Sequence, residues 1–559
     1  MYRFSSPYLW LPLLTLLLLC HVGYLATLSE DAFITYRYGR NLAATGELTW
    51  NPGEVPIEGY TNFSWVLLSA GAIELGLPVP TLTVVFGMLG AVCILLVAWR
   101  FGRDLLGLSA RRALGPCMLI ALSGPLASWA SSGMEMTCFA LLVLASLYYF
   151  GLAFQTEVHG DLYPAYLLML VAALTRPEGL MVFLVLSGLG VFFRIANRRI
   201  SWSNLLLPIL VFAVPFAVYI AWRVSYFGAL LPNTYYAKTG GTVHQYLRGA
   251  IYAGHSLACF AFPCAVPLLG VFFRPSGRLR PLRLTSSTSM SWRMETNAGS
   301  WVLLLVSLVY TAYIVFVGGD YMPMARFFVP VLPLVYLLAG QLLDRVDQGL
   351  RPASAGRLIL RGLFVVAALG ILFHSTPWEA RLLPCPSRQA GNWRGVQKER
   401  WHLGRLTVIG QFFESYKRSP RESLATNAIG VISWYARMVV YGLHGLDDPK
   451  IARMEQGVGQ KELGRGMAGH EKADVVYILE QKRPTYYMFE RRLRQKPYRP
   501  PLSGTVKRIF EHRYQLQSAW IEDPFNDEAG YFSFFELKPA FRDVPAIPIK
   551  DSIRPAASP

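Results

Sequence analysis

The sequence predicts a mainly α-helical, polytopic membrane protein with a soluble C-terminal domain. Of its 559 residues, 53% are hydrophobic and only 16% are charged, and the mean hydropathy is +0.34. Soluble domains carry about 25% charged residues, so this chain differs from them in its low share of charged residues. Apolar runs recur along the first two thirds of the chain, many of them close to the roughly 20 residues that cross a bilayer. This pattern excludes a soluble enzyme, a disordered scaffold and a coiled coil.

The apolar runs predict twelve helices before residue 375. We interpret residues 8–26 as a retained first transmembrane helix, because the run is long for a signal peptide and no A-x-A cleavage site follows. The other predicted helices are residues 63–77, 79–99, 112–130, 134–154, 161–174, 177–193, 204–222, 249–273, 301–317, 327–343 and 358–374. The segment 63–77 is the weakest candidate to cross the membrane, since it is short and contains Glu74.

The distribution of Lys and Arg between the loops predicts the orientation. If the N terminus is cytoplasmic and residues 63–77 do not cross, the cytoplasmic loops hold 16 Lys and Arg and the outer loops hold 7. Basic residues of short loops favour the cytoplasmic side. We therefore expect about eleven transmembrane helices in a bacterial inner membrane and a C-terminal domain in the periplasm.

The net charge of +18 does not indicate a nucleic-acid partner, because it is spread along the chain. Residues 375–559 hold 29 Lys and Arg against 20 Asp and Glu, and the other basic residues lie mostly in short loops. We expect a membrane domain over residues 1–374 and a soluble domain over 375–559. In the latter, residues 406–409 and 475–479 resemble strands, 485–495 a helix, and 539–559 an extended Pro-rich segment. This mixture predicts an α/β domain.

The seven cysteines predict no disulfide and no metal site. Six lie within apolar runs, where Cys behaves as a small hydrophobic residue, and only Cys385 falls in the C-terminal domain. No CxxC motif and no Cys/His cluster is visible in the sequence. We expect no metal-ligating residues, and a divalent cation is the one cofactor left open.

Two acidic residues stand in the first outer loop. Ser29 can cap a helix whose first turn holds Glu30 and Asp31, as the helix dipole favours. Alternatively, a carboxylate just outside the membrane acts as general base on an acceptor hydroxyl, with a pKa raised by the low dielectric. Later in the same loop, residues 60–62 are either interface anchors or part of a sugar pocket.

Three basic residues of the outer loops are candidates to bind a phosphate. Arg176 stands before Pro177 and Glu178 in a helical hairpin, where it either pairs with Glu178 or binds an anionic lipid phosphate. Lys238 follows Asn233, Tyr235 and Tyr236, a set suited to a phosphosugar, although a lone Lys near an interface usually snorkels.

The third cation lies in the outer loop 318–326. Its double glycine, Gly318-Gly319, permits a close backbone approach. Asp320 and Arg326 either pair with each other or serve a ligand. Glu135, which opens a helix at the same surface, is interpreted as a helix cap. The region that contains Trp434, Tyr435, His444 and Asp447 is expected to be domain core rather than an acceptor site.

Together these motifs resemble the GT-C glycosyltransferases that use polyprenyl-phosphate sugars. The resemblance is carried by residues 30–38, 50–54, 58–62, 132–135, 175–179, 231–238, 318–320, 326–327, 442–453 and 469–470, in that order. Within the family, the pattern is most similar to the branch of the mycobacterial terminal arabinofuranosyltransferase (AftB) and the pilin arabinosyltransferases. It covers most of the chain.

The resemblance implies a GT-C fold with an acidic motif in the first periplasmic loop. The family's motif usually has two Asp, and here Glu30 takes the first place, so Asp31 is the expected catalytic carboxylate with Glu30 as its partner or a sugar ligand. We expect Arg176, Lys238 and Arg326 to bind the donor phosphate. The residues expected to contact the sugar or the acceptor are Tyr60, Thr61, Asn62, Glu178, Asn233, Tyr235, Tyr236 and Asp320.

The predicted function is transfer of a sugar, D-arabinofuranose, from a polyprenyl-phosphate donor in the membrane lipid to an extracytoplasmic glycan or pilin acceptor. Because phosphate is a good leaving group, such a site needs a base for the acceptor hydroxyl and cations for the phosphate. Two alternatives stay open: a flippase or transporter of lipid-linked sugars, and the same fold acting on a mannosyl or aminoarabinosyl donor.

Overall fold

Helices dominate the N-terminal part of the protein. The computed structural model describes residues 7–156, 158–197, 201–262, 264, 298–350, 354–382, 392–455 and 469–542. The helices before residue 383 are α1 Pro7–Leu25, α2 Ala32–Thr45, α3 Phe63–Glu74, α4 Val79–Asp104, α5 Leu114–Ala121, α6 Gly124–Ala130, α7 Met136–Gln155, α8 Leu162–Thr175, α9 Glu178–Asn197, α10 Trp202–Phe227, α11 Asn233–Lys238, α12 Val243–Phe260, α13 Ala298–Phe316, α14 Leu332–Gly349, α15 Ala355–Phe373 and α16 Pro377–Leu382.

Six stretches of these helices are long and apolar enough to cross a membrane. They are Val79–Asp104, Met136–Gln155, Glu178–Ile195, Trp202–Phe227, Gly299–Phe316 and Ala355–Phe373. The 12 residues of α3 rise by only about 18 Å, well short of a hydrocarbon core of about 30 Å, so α3 does not cross. The total of eleven crossings stays a prediction.

Two predicted helices have different bounds in the structure. Residues 112–130 form two helices, α5 and α6, because Pro125 has no N–H with which to continue the ladder of α5. The helix predicted at 327–343 begins only at Leu332, after a 3₁₀ turn over Arg326–Phe328. Pro333 stands in the first turn of α14, where its ring is tolerated.

The predicted crossing at 249–273 is wrong for its described part. Helix α12 ends at Phe260 and is not among the six stretches that are long and apolar enough to cross. Near its start, Arg248 donates to the carbonyl of Gly318 at 2.9 Å, and at its end the ring of Phe260 packs on His374, with centroids 5.7 Å apart. This helix therefore lies along one side of the bundle. Residues 265–273 lie outside the described residues.

The C-terminal part is built on a five-stranded sheet. Its strands are β1 Ser423–Thr426, β2 Val439–Gly442, β3 Tyr486–Tyr487, β4 Tyr514–Asp523 and β5 Glu528–Leu537, in the order β2-β1-β3-β5-β4. Strand β1 pairs in parallel with β2 and β3, and β5 pairs antiparallel with β3 and β4. The helices here are α17 Asn392–Tyr416, α18 Gly430–Ala436, α19 Pro449–Ala452, α20 Val475–Tyr477 and α21 Gly504–Arg513. The predicted mixed α/β character is confirmed.

The local assignments inside this part were predicted wrongly. Residues 406–409 lie in α17, and residues 475–479 are helical rather than extended. The stretch 485–495 opens with the strand β3 instead of a helix. All four residues 406–409 are buried, because α17 packs between the sheet and α18. A helix that is buried on all sides shows the continuous apolar run of a buried strand.

The first loop and α2 connect the two parts of the protein. The buried guanidinium of Arg37 donates to Ser433 O at 3.2 Å and to Met438 O at 3.0 Å, both in the C-terminal part. The indole N–H of Trp50 donates to Val440 O in β2 at 2.8 Å. These contacts hold the N-terminal end of α2, which follows Glu30 and Asp31, against the C-terminal part.

Of the Pro-rich segment 539–559, the structure describes only the first four residues. Pro539–Phe541 form a 3₁₀ turn instead of an extended chain, and residues 543–559 lie outside the described residues.

Candidate active site

A cavity of about 260 Å³ lies where the outer loops of the helical part meet the C-terminal part. Eleven of the thirteen residues that the sequence predicts for the site line it: Glu30, Asp31, Tyr60, Thr61, Asn62, Arg176, Glu178, Tyr235, Lys238, Asp320 and Arg326. They come from four separate loops, and the C-terminal part closes the cavity with Asn427, His444 and His470, among others.

Two predicted site residues, Asn233 and Tyr236, do not line the cavity. The side-chain amide of Asn233 donates to the carbonyls of Gly445 and Leu446 at 2.8 and 2.9 Å. The ring of Tyr236 lies 4.7 Å from the guanidinium of Arg453. Residues three apart share a face of a helix, so Tyr235 and Lys238 face the cavity while Asn233 and Tyr236 hold α11 to the C-terminal part.

Asp31 precedes α2 without capping it. The prediction that Ser29 caps this helix is wrong, because neither Ser29 nor Asp31 makes a side-chain cap bond and the first-turn amides are bonded to backbone carbonyls. The Asp31 carboxylate instead accepts a hydrogen bond from Arg326 Nη1 at 3.0 Å. Its side chain is 18% exposed, whereas that of Arg326 is 3% exposed.

Arg326 joins two carboxylates in the cavity wall. Its Nε and Nη2 donate to Asp320 at 2.5 and 2.8 Å, so the predicted Asp320–Arg326 pair forms and Asp31 is added to it. The backbone before Arg326 is left-handed at Met324 and Ala325, with φ of 56° and 43°. Such conformations are costly for residues with a Cβ and persist only where the surroundings enforce them.

The close backbone approach predicted for the double glycine is present in this loop. A Cβ on Gly319 would lie 2.6 Å from the Cβ of Tyr252, which no packed structure tolerates. Gly318 and Gly319 also have φ of 86° and 67°, the left-handed region that favours glycine. The loop therefore packs against α12 only because both positions lack a side chain.

Arg176 is paired with two carboxylates rather than one. Its Nη1 donates to Glu135 at 2.6 Å, and its Nε and Nη2 donate to Glu178 at 3.2 and 2.7 Å. The second Glu135 oxygen accepts from the amide of Asn62 at 2.7 Å. The interpretation of Glu135 as a helix cap is therefore wrong, since its side chain makes no cap bond and serves this cluster instead.

The two neighbouring acids of the first loop titrate in opposite directions. Burial and the adjacent charge of Asp31 raise the pKa of Glu30 to about 8, although the Gly430 amide donates to it at 2.5 Å. Burial also disfavours the ionised form of Asp31, but the charges of Arg326 and Lys238 hold the pKa of Asp31 below its usual value. The expectation that the catalytic carboxylate has a raised pKa is therefore wrong for Asp31. At neutral pH, Asp31 is ionised and Glu30 carries a proton.

Lys238 is the cation of the cavity whose charge is not balanced by a contact. Among the described residues, no carboxylate lies within ion-pair distance of its ammonium group, whereas Arg176 and Arg326 each contact two. Burial lowers the pKa of Lys238, and the charge of Asp31 only partly opposes this effect. An anion that enters the cavity would therefore stabilise the charged form of Lys238.

Known proteins resemble this chain in sequence and in fold. A family described as a domain of unknown function (DUF8728) matches residues 392–535, from α17 to β5. The terminal β-(1→2)-arabinofuranosyltransferase of Mycobacterium tuberculosis is 25% identical over 320 residues, which is 53% of this chain and 49% of that protein. The chain thus spans about half the length of this relative.

Two solved structures of ArnT from Cupriavidus metallidurans are similar over most of the chain. The apo structure has a TM-score of 0.52 at 14% identity and covers 86% of this chain and 93% of its own. The structure bound to undecaprenyl phosphate has a TM-score of 0.50 at 14% identity. The match covers 80% of this chain and 87% of the ArnT chain. The fold is GT-C. The resemblance inferred from the sequence motifs is confirmed, as is the mainly helical membrane architecture.

The sequence interpretation of this GT-C chain missed residues that line the cavity. His444 was expected in the domain core, yet it lines the cavity together with His470, and their ring centroids are 4.8 Å apart. Tyr321 also lines it and packs edge-on against His470. Both histidines lie inside the motifs 442–453 and 469–470 that carry the family resemblance. This position was the signal that could have marked them as residues of the site.

The absence of metal-ligating residues stays a prediction, although the structure brings three ligand-type side chains together. Outside the cavity, Cys259, His374 and Glu379 form a cluster whose ligand atoms all lie within 4.8 Å of one another. This cluster could not be found from the sequence, because Cys259 lies more than a hundred positions before His374 and Glu379.

The raised pKa of Glu30 predicts a specific pH dependence of stability. The ordinary pKa is 4.5 and the folded-state value is about 8, so the folded protein holds this proton where the unfolded chain has lost it. The contribution of Glu30 to the free energy of unfolding is therefore most favourable below pH 4.5. It is lost as the pH rises to about 8. We expect Glu30→Gln to remove this loss, so that its melting temperature exceeds that of the wild type increasingly across this range.

The measurement is thermal unfolding of the detergent-solubilised protein at a series of pH values. Glu47→Gln, a change at an exposed glutamate of the same loop, is the matched control and should follow the wild type. Parallel curves for wild type and Glu30→Gln would contradict the assignment of a buried, protonated Glu30.

Proposed function

We propose that the protein is a membrane glycosyltransferase that moves a sugar from a polyprenyl-phosphate donor to an extracytoplasmic acceptor. The observation that carries this proposal is the cavity itself, in which an ionised Asp31, fixed by Arg326, faces the same space as the unbalanced cation Lys238. A base and a cation are the two groups that sugar transfer from a phosphate donor requires.

In the proposed reaction, Asp31 accepts the proton of the acceptor hydroxyl. The acceptor oxygen then forms a bond to the anomeric carbon of the sugar, and the bond from that carbon to the phosphate oxygen breaks. The departing polyprenyl phosphate takes the electron pair, and Lys238 stabilises its charge. Arg326 also orients Asp31 and keeps it ionised, since it donates to the same carboxylate.

Arg176 has a different role in this proposal from the one that the sequence predicts. Glu135 and Glu178 already balance its charge, and separating a buried arginine from such partners costs several kcal/mol. The same holds for Arg326, which Asp31 and Asp320 balance, so we assign the donor phosphate to Lys238. Arg326 orients Asp31, and Arg176 belongs to the wall that positions Asn62 and Glu178 towards the sugar.

Glu30 has a positioning role in this proposal. As a neutral acid it accepts the hydrogen bond from the Gly430 amide and fixes the first loop to α18 of the C-terminal part. Of the adjacent acids Glu30 and Asp31, only Asp31 is therefore ionised and able to act as the base.

The relatives support the class of donor and the sugar. ArnT from Cupriavidus metallidurans, whose fold this chain shares, binds undecaprenyl phosphate. The sequence relative from Mycobacterium tuberculosis is a terminal β-(1→2)-arabinofuranosyltransferase, which supports D-arabinofuranose as the transferred sugar. The Lys and Arg distribution supports a periplasmic cavity, and hence a glycan or pilin outside the bacterial inner membrane as acceptor.

The rival function is transport of a lipid-linked sugar without chemistry. Transporters place their ionisable groups near the bilayer midplane on broken helices, whereas the groups in this cavity lie in loops at helix ends. Incubation of the purified protein with a synthetic polyprenyl-phosphate sugar and a glycan acceptor separates the two functions, because only an enzyme forms a new glycosidic bond.

The role of Asp31 is tested by two isosteric neutralisations. We expect Asp31→Asn to reduce the rate of transfer by about 10²–10⁴, because an essential base is lost. Glu30→Gln should reduce the rate far less, since Glu30 is already neutral and glutamine keeps an oxygen for the Gly430 amide. The rate is measured by mass spectrometry of the glycosylated acceptor, with size-exclusion profiles as the control for folding. Full activity of Asp31→Asn would end the assignment, as would equal losses in the two variants.

The role of Lys238 is tested through the donor. Lys238→Met keeps the length of the side chain and removes its charge, so we expect a higher KM for the polyprenyl-phosphate sugar and a reduced kcat. Lys450→Met is the matched control in the C-terminal part, because Lys450 lies over the ring of Tyr477 and away from the cavity. An unchanged KM for the donor in Lys238→Met would contradict the phosphate site.

A further inference from the structure

The second cluster of ligand-type side chains lies at the junction between the helical and C-terminal parts. Cys259 belongs to the last turn of α12, His374 follows α15, and Glu379 belongs to α16. Their ligand atoms all lie within 4.8 Å of one another. His255, one helical turn before Cys259, places its Nε2 atom 3.6 Å from the Cys259 sulfur. Three side chains with sulfur, nitrogen and oxygen donors thus meet at one point, and the imidazole of His255 lies beside the sulfur.

Two separations in this cluster match those of neighbouring ligands around one metal ion. In tetrahedral zinc sites the metal lies about 2.3 Å from sulfur and about 2.0–2.1 Å from nitrogen or oxygen, so neighbouring ligand atoms are roughly 3.3–3.6 Å apart. His374 Nδ1 lies 3.2 Å from Glu379 Oε1, and His255 Nε2 lies 3.6 Å from Cys259 Sγ.

A second layer of contacts orients the carboxylate. The side-chain amide of Asn392 donates to Glu379 Oε1 at 2.7 Å, and the Trp393 amide donates to Oε2 at 3.4 Å. Metal-ligating carboxylates are typically held in this way. Cys259 and Glu379 are each only 5% exposed, so a bound ion would be largely shielded from solvent.

We propose that Cys259, His374, Glu379 and His255 bind one Zn²⁺ ion. A set of one thiolate, two imidazoles and one carboxylate suits Zn²⁺ and disfavours Mg²⁺ and Ca²⁺, which take oxygen ligands. With four protein ligands the site has no open position, so the ion is structural.

The ion would fix α12 to the junction between α15 and α16. Helix α12 also carries Tyr252, whose hydroxyl accepts a hydrogen bond from the amide of Phe327, the residue after Arg326. The site therefore fixes the helix that contacts the cavity loop 318–328. Its residues take no part in the proposed sugar transfer.

The first test is the metal content of untagged, full-length protein purified in detergent. We expect elemental analysis to find one zinc per chain in the wild type, and much less in Cys259→Ser and His374→Ala. Cys93→Ser and His512→Ala are matched controls from outside the cluster and should retain the zinc. A wild type that holds no more zinc than Cys259→Ser would overturn the proposal.

The second test does not depend on a ligand variant that folds. Replacement of zinc by Co²⁺ in the wild type should give an intense tetrahedral visible spectrum and a thiolate-to-cobalt charge-transfer band. Asn392→Ala keeps all four ligands and removes an oriented contact, so its zinc affinity should fall by about 10–100-fold. A cobalt spectrum without the thiolate band, or an unchanged affinity in Asn392→Ala, would overturn the site as described. The metal readouts are independent of sugar transfer, so their failure leaves the proposed function standing.

Discussion

The structure depends on the balance of charge around Arg326. This side chain is 3% exposed and contacts Asp31 at 3.0 Å and Asp320 at 2.5 Å. A buried guanidinium without partners costs several kcal/mol, so the first loop and the loop after α13 must be brought together for the protein to fold. The left-handed backbone at Met324 and Ala325 is enforced by the same requirement, since it turns Arg326 towards both carboxylates. In the neighbouring wall of the cavity, the charge of Arg176 is balanced in the same way by Glu135 and Glu178.

This balance separates the roles of residues that look alike in the sequence. Glu30 and Asp31 are adjacent, yet only Asp31 lies beside Arg326 and Lys238, and Glu30 stays protonated against the amide of Gly430. Of the three cations, two are already neutralised by contacts, and Lys238 keeps a charge that a phosphate can match. A base and a phosphate-binding cation thus arise from the same packing that stabilises the fold. The proposed zinc site at the end of α12 would extend this packing to the helix beneath the cavity loop.

The sequence predicted the mainly helical membrane architecture, and most of the site residues that it predicted line the cavity. Hydropathy suffices to predict the helices, and the unusual polarity of the loops suffices to predict the site residues. Burying charge next to a membrane is too costly to occur by chance. The lowered pKa of Asp31 could not be predicted, since it depends on Arg326, 295 positions away. The raised pKa of Glu30 depends on its burial in the folded protein and on the charge of Asp31. Residues 406–409 of α17 were predicted as a strand because all four are buried, which hides the helical period of 3.6 residues. The orientation of Asn233 and Tyr236 required knowledge of which face of α11 meets the C-terminal part.

The most direct measurement is a cryo-electron microscopy structure of the protein with a bound polyprenyl phosphate. The phosphate is predicted to lie on the order of 3 Å from the ammonium group of Lys238, the distance of a charge-assisted hydrogen bond. Arg176 should still contact Glu135 and Glu178, and Asp31 should face the open space beside the phosphate. A phosphate bound by Arg176, or one bound away from Lys238, would contradict the assignment of the donor site and of the base next to it.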